Sequence, residues 1–160
     1  MASPQAQQWM PREQWDALVR GENCPLCAEV ASTNPINEHG YTVSDLTFSR
    51  LRLASNQSVP GYCILICKTH VREPYELTVQ HRSAFFEDMM RAGSALENVL
   101  DAIKMNFEIL GNAVPHLHCH IKPRYYGDRA PSHPIHVEEQ EVFLSPEEAD
   151  KRVASIRAAL

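Results

Sequence analysis

Residues 115–124 read PHLHCHIKPR, three histidines alternating with apolar residues and followed by two cations. On a strand, His116, His118, His120 and Lys122 would share one face, and Leu117, Cys119 and Ile121 the other. Three imidazoles in register are costly as mere structural residues, because each makes its neighbours harder to protonate. Two chemistries fit the row. Imidazoles spaced by two could converge on zinc. A hydrolytic zinc site would also want a carboxylate nearby, and between residues 115 and 136 the only acid is Asp128. Alternatively, a neutral imidazole could attack phosphorus and form a phosphoramidate, its other ring nitrogen holding a proton against an acceptor. Flanking donors would then stabilise the phosphoryl oxygens. The middle histidine, His118, is best placed for that role. Lys122, Arg124 and Arg129 make this stretch locally basic inside an acidic chain, which suits an anionic ligand, most simply a phosphate.

A second motif is Cys24-Pro25-Leu26-Cys27. Cys-x-x-Cys is half of a common structural zinc site. It is also a redox motif, but the βαβ setting that motif needs is absent from the surrounding pattern. As free thiols the pair would carry no function. His133 and His136, in the loop PSHPIH, are expected to be surface residues, and Tyr125-Tyr126 to be half-buried packing or a stacking surface.

The elements that must position these residues follow from the change of period along the chain. A short helix is expected over 11–20, opened by Pro11 and stopped by Gly21. Residues 31–40 read as loop. Strands are expected over 41–46, 49–54, 62–68, 105–110 and 117–123, the third a nearly continuous apolar run. Phe85, Met89, Ala92, Leu96, Val99 and Ile103 recur at helical spacing and predict one long helix over 78–104. Ser145-Pro146-Glu147-Glu148 combines an N-cap, a first-turn proline and a capping-box glutamate. A terminal helix with Ala149, Val153, Ile156 and Leu160 on its apolar stripe should follow. The resulting fold class is α+β: a five-stranded antiparallel sheet with one long helix on one face, leaving the histidine face for chemistry.

Length and composition agree with this. The chain has 160 residues, enough for one domain with its own core. We expect a single domain over 1–160, with a core at about 40–130, a metal-hook segment at 11–30 and a helical tail at 145–160. A net charge of −5 argues against nucleic acid as a partner. No apolar run has the length of a membrane span, and the polar start MASPQAQQWM lacks a signal-peptide core, so a cytoplasmic protein is expected.

The row His-Leu-His-Cys-His-Ile-Lys followed by Pro-Arg resembles the signature of the histidine triad family of nucleotide hydrolases and transferases. Pro60-Gly61-Tyr62, the strand ending Cys67-Lys68-Thr69-His70, the long helix, and the segment from Lys104 to Asn112 resemble the family's upstream pieces in the same order. Together they cover residues 40–130. The resemblance implies that His118 attacks the α-phosphorus of a nucleotide to give a nucleotidyl-histidine, which water or another acceptor resolves. It implies that His120 contacts the phosphate, that Asn106, Gly111 and Asn112 belong to a phosphate-contacting loop, and that Asn56 lies near the ribose. It also supplies partners for the cysteine pair: zinc held by Cys24, Cys27, His70 and His116. A dinucleoside polyphosphate such as diadenosine tetraphosphate is the implied substrate, and a homodimer the implied assembly. The alternative is a zinc-stabilised nucleotide-binding sensor with little turnover.

Overall fold

The computed structural model describes residues 9–137 and 140–160. Helix α1 (Arg12–Val19) leads through a turn into α2 (Pro25–Ala31). Strands β1 (Ile36–Asn37), β2 (Gly40–Asp45), β3 (Ser49–Ala54) and β4 (Cys63–Cys67) follow, then α3 (Val79–Leu100), β5 (Lys104–Glu108), β6 (His118–Arg124) and α4 (Pro146–Ala159). The strands form one antiparallel sheet in the order β1-β2-β3-β4-β6-β5.

The sheet therefore has six strands where the sequence predicted five. The extra strand lies in the segment expected to be loop. Ile36 and Asn37 pair with Tyr41 and Gly40, and Asn37 Oδ1 accepts from the His39 amide to close the turn. Gly40 permits this with φ of +138°, since a Cβ there would stand 2.0 Å from the Leu53 carbonyl oxygen. Helix α2 was likewise not expected; Pro25 at its first turn was its only local signal. The long helix ends at Leu100 rather than near residue 104. Asp101 adopts a left-handed conformation (φ 52°) and closes it.

Period-two alternation sorts the sheet into two faces. On one face, neighbouring strands align Leu51, Leu65 and Cys119 in one row and Leu53, Cys63 and Ile121 in the next, all fully buried. Helix α3 packs there with Phe85, Met89, Ala92 and Leu96. Helix α4 covers β2 and part of α3 with Ala149, Val153 and Ile156. Its capping box forms as expected: Ser145 Oγ accepts from the Glu148 amide, and the Glu148 carboxylate accepts from the Ser145 amide. Asp88 of α3 is buried but satisfied, accepting from the Thr47 and Phe48 amides and the Ser49 hydroxyl, which ties the β2–β3 turn to the helix.

On the opposite face the rows read Arg50, Ile66, His118 and Arg52, Ile64, His120, Glu108. Helix α2 lies against this face at its β3 side. Arg50 donates to the Glu29 and Ser32 carbonyls, and Arg52 meets the Glu29 carboxylate at 3.1 Å.

Candidate functional site

The two motifs meet at the N-terminal end of β6. His116 lies just before the strand and is 1% exposed. Its Nε2 donates to the Cys67 carbonyl at 2.8 Å, so its Nδ1 carries the lone pair. His70 is arranged the same way, with Nε2 donating to the Val19 carbonyl at 3.0 Å. The two Nδ1 atoms face each other at 3.2 Å. Cys24 Sγ stands 3.4 Å from His116 Nδ1, and Cys27 Sγ stands 3.4 Å from His116 Nδ1 and 3.3 Å from His70 Nδ1.

Two lone pairs at that distance repel unless a cation lies between them. Burial pushes His116 down to about 4, so that ring is neutral near pH 7. Zinc bond lengths to sulfur and imidazole nitrogen, set at a tetrahedral angle, separate such ligands by about 3.4–3.6 Å. The four spacings given match within about 0.3 Å, and all four ligand atoms lie within 4.8 Å of one another. Cys24, Cys27, His70 and His116 thus form a cluster that could hold a metal ion.

His118, 8% exposed, opens the strand. Its Nδ1 lies 2.6 Å from the His116 carbonyl oxygen, which can only accept. The proton is therefore on Nδ1 and the bare lone pair on Nε2. Burial lowers its basicity, which keeps the ring neutral. His120 is half-buried, its ring 4.9 Å from that of His118 in an edge-on arrangement. Burial, with His118 and Lys122 nearby, holds His120 down to about 4. Its Nδ1 lies 2.6 Å from the Tyr62 hydroxyl.

The expected phosphate loop is placed in part beside this row. Asn106 is on the histidine face of β5, opposite Lys122, with its Oδ1 accepting from Arg124 at 2.8 Å. Gly111 (φ 69°) and the exposed Asn112 lie in the turn that feeds Pro115 and His116. Asn56 sits in the β3–β4 turn, where its Oδ1 accepts from the Ser58 and Val142 amides.

The cations expected to draw an anionic ligand are employed otherwise. Lys122 is 5% exposed; it binds Glu108 at 2.8 Å and the Ile135 carbonyl at 2.9 Å. Arg124 forms a two-pronged pair with Asp128 and donates to the His133 and Ala130 carbonyls. Both side chains fasten the 125–137 segment to the sheet. An open cavity of about 850 Å³ runs along β5 beneath that segment, lined by Lys104, Asn106, Glu108, Arg124 and Asp128 among others. Tyr62, Glu108 and the Arg52–Glu29 pair were not singled out from sequence. Each acts on a residue far away in the chain, and only the tertiary structure shows it.

An antiparallel sheet with its two longest helices on one face and a histidine row on the other, locked at one end to a Cys/His cluster, defines a class of small α+β proteins. The HIT domain matches residues 42–127, more than half of the chain, and the chain belongs to the HIT family. Proteins of this family are in general nucleotide hydrolases or transferases. The Bacillus subtilis (strain 168) protein named "Protein hit" is 29% identical over 112 residues, covering 65% of this chain and 72% of its own. A histidine triad protein from Sinorhizobium meliloti 1021 superposes with a TM-score of 0.71 at 25% identity, covering 80% of this chain and 98% of that one. A zinc-bound histidine triad family protein from Mycobacterium smegmatis shares the fold with a TM-score of 0.62 at 21% identity, over 86% of this chain and 92% of that one. Among the described residues, no helix is long and apolar enough to cross a membrane.

Proposed function

We propose that this protein hydrolyses or transfers a nucleotidyl group at the α-phosphate of a nucleoside phosphate, with His118 as nucleophile. The observation that carries the reading is the 2.6 Å contact between His118 Nδ1 and the His116 carbonyl, which leaves Nε2 bare and the ring neutral. In the first step Nε2 attacks phosphorus, and the bond from phosphorus to the leaving group breaks with its electron pair going to the leaving group. In the second step water or another acceptor attacks the same phosphorus, and the P–N bond breaks to return His118. His120 donates to a phosphoryl oxygen, and Asn106, Gly111 and Asn112 border the phosphate, with Asn56 on the ribose side. A dinucleoside polyphosphate such as diadenosine tetraphosphate is the favoured substrate.

The Cys24, Cys27, His70 and His116 cluster fits structural zinc, by its soft and borderline donors and their spacing. The Mycobacterium smegmatis relative, which is zinc-bound, supports that identity. Bound there, zinc would fix His116 and the segment at 11–30 against the sheet. His116 then positions His118 through its carbonyl. With Nδ1 committed to the cluster and Nε2–H to the Cys67 carbonyl, His116 has no proton to offer a leaving group. The reading takes the protein as one domain, as a homodimer and as cytoplasmic. None of the five cysteines is in a disulfide, which suits a reducing compartment.

Incubation with diadenosine tetraphosphate tests the proposal. Turnover should vanish in His118→Ala while nucleotide binding is retained. Turnover unchanged in that variant would refute the nucleophile. Binding without turnover in the parent protein would favour a nucleotide sensor instead.

A further inference from the structure

Neighbouring histidines of the row are held in opposite ways. His118 gives its Nδ1 proton to a carbonyl, which settles its tautomer. The partner of His120 Nδ1 is a phenol, which can donate or accept. The surroundings decide between the two. Tyr62 is 7% exposed, and its hydroxyl has no other hydrogen-bond partner among the described residues. If His120 donated, the phenolic proton would be left buried without an acceptor, an arrangement that is costly. Burial and the nearby Glu108 also push the phenol strongly towards keeping its proton. Tyr62 must then donate, and His120 Nδ1 must accept.

The neighbours hold that geometry. The Tyr62 ring lies 5.9 Å from the His120 ring at 29°, and the Lys122 ammonium sits 5.8 Å from the phenol centroid. Lys122 is fixed by Glu108, which pairs with His120 in strand register. On its other side Tyr62 packs with Val59, Ala54 and Ile135.

We propose that Tyr62 is a positioning residue for the site: its hydroxyl donates to His120 Nδ1 and so presents Nε2–H as the donor to a phosphoryl oxygen. Adjacent histidines thereby expose opposite Nε2 atoms, a lone pair on His118 for attack and a proton on His120 for charge stabilisation. This assignment rests on the nucleotidyl-transfer reading for its purpose, though not for its geometry.

Imidazole ¹⁵N NMR of the full-length, zinc-loaded protein reads that geometry without any turnover. His120 Nδ1 should resonate as a hydrogen-bonded acceptor and Nε2 as a protonated nitrogen, with the reverse pattern at His118. Tyr62→Phe should remove the hydrogen-bond displacement of Nδ1. With diadenosine tetraphosphate, the same variant should lower kcat about tenfold with KM changed less than about twofold, the effect of one lost hydrogen bond on a group used in the transition state. A protonated Nδ1 at His120, or a Tyr62→Phe variant with unchanged nitrogen shifts or unchanged kcat, overturns the proposal. A fall in Tm alone, with shifts and kcat intact, marks Tyr62 as only structural and overturns it too. If the parent protein does not turn over the dinucleotide, the functional reading fails, and the NMR result by itself decides the role of Tyr62.

Discussion

Replacing Arg52 by methionine should destabilise the protein by about 3 kcal/mol, the low end of the range for breaking a buried ion pair from one side. The Arg52 and Glu29 side chains are 3% and 9% exposed. Burial is severe enough to lower the affinity of the Arg52 guanidinium for its proton. The low end applies because Arg52 Nε and Glu29 Oε2, at 3.1 Å, are not aligned as a hydrogen bond. Glu29 also keeps its bond from Asn37 at 2.7 Å when the arginine is gone. The Thr42 hydroxyl and the Gly40 carbonyl would each lose a guanidinium partner at 2.8 Å. For a chain of this length, 3 kcal/mol corresponds to a fall in Tm of about 6–12 °C. Urea denaturation of the zinc-loaded protein measures it, provided the m-value is unchanged. Because Glu29 sits on the helix that starts inside CPLC, the variant should also bind zinc more weakly. Arg52→Met with Glu29→Leu leaves no lone charge and should return to within about 1 kcal/mol of the parent. A single variant costing less than about 1 kcal/mol, or a double variant no better than the single, would show that the pair is not desolvated as the structure has it.

Cys24→Ser should bind less than one zinc per chain by metal analysis and lose stability before it loses any intrinsic chemistry; full zinc content would remove Cys24 from the cluster. Asp88→Ala should cost about 2–4 kcal/mol in chemical denaturation, because the buried Ser49 hydroxyl and the Thr47 and Phe48 amides lose their shared acceptor. Hydrogen bonding to Arg124 holds the Asp128 carboxyl well below the usual carboxylate range. Its contribution is therefore complete above the unfolded value of about 4 and is lost as pH falls below it. The Tm gap between parent and Asp128→Asn should be flat from pH 8 to about 5 and shrink below about 4; a gap that widens in acid would contradict the pairing.

Much of the fold was legible because its signals are local. The capping box at Ser145, the apolar stripe of α3, and the alternation that buries Leu117, Cys119 and Ile121 while presenting His118 and His120 depend only on neighbours a few residues away. The end of α3 was misplaced because Ile103 continues the helical spacing while Asp101 turns the backbone left-handed, a conformation that composition does not announce. β1 was missed for a related reason: two residues carry too little pattern, and the pairing depends on Gly40 fitting against the Leu53 carbonyl.

The division is sharper at the site. The row of histidines and the Cys-x-x-Cys pair were marked by residue type and spacing, since a strand fixes which side chains share a face. Their roles were not fixed that way. Which nitrogen of each imidazole carries the proton depends on the Cys67, Val19 and His116 carbonyls and the Tyr62 hydroxyl. Whether Lys122 and Arg124 greet a ligand or hold a loop depends on Glu108, Asp128 and the carbonyls of residues 130–135. Sequence determined which groups could do chemistry, because periodicity is local. Only the tertiary structure decided how each one is held, because hydrogen bonds and ion pairs act over about 3 Å and join residues that the chain separates by dozens of positions.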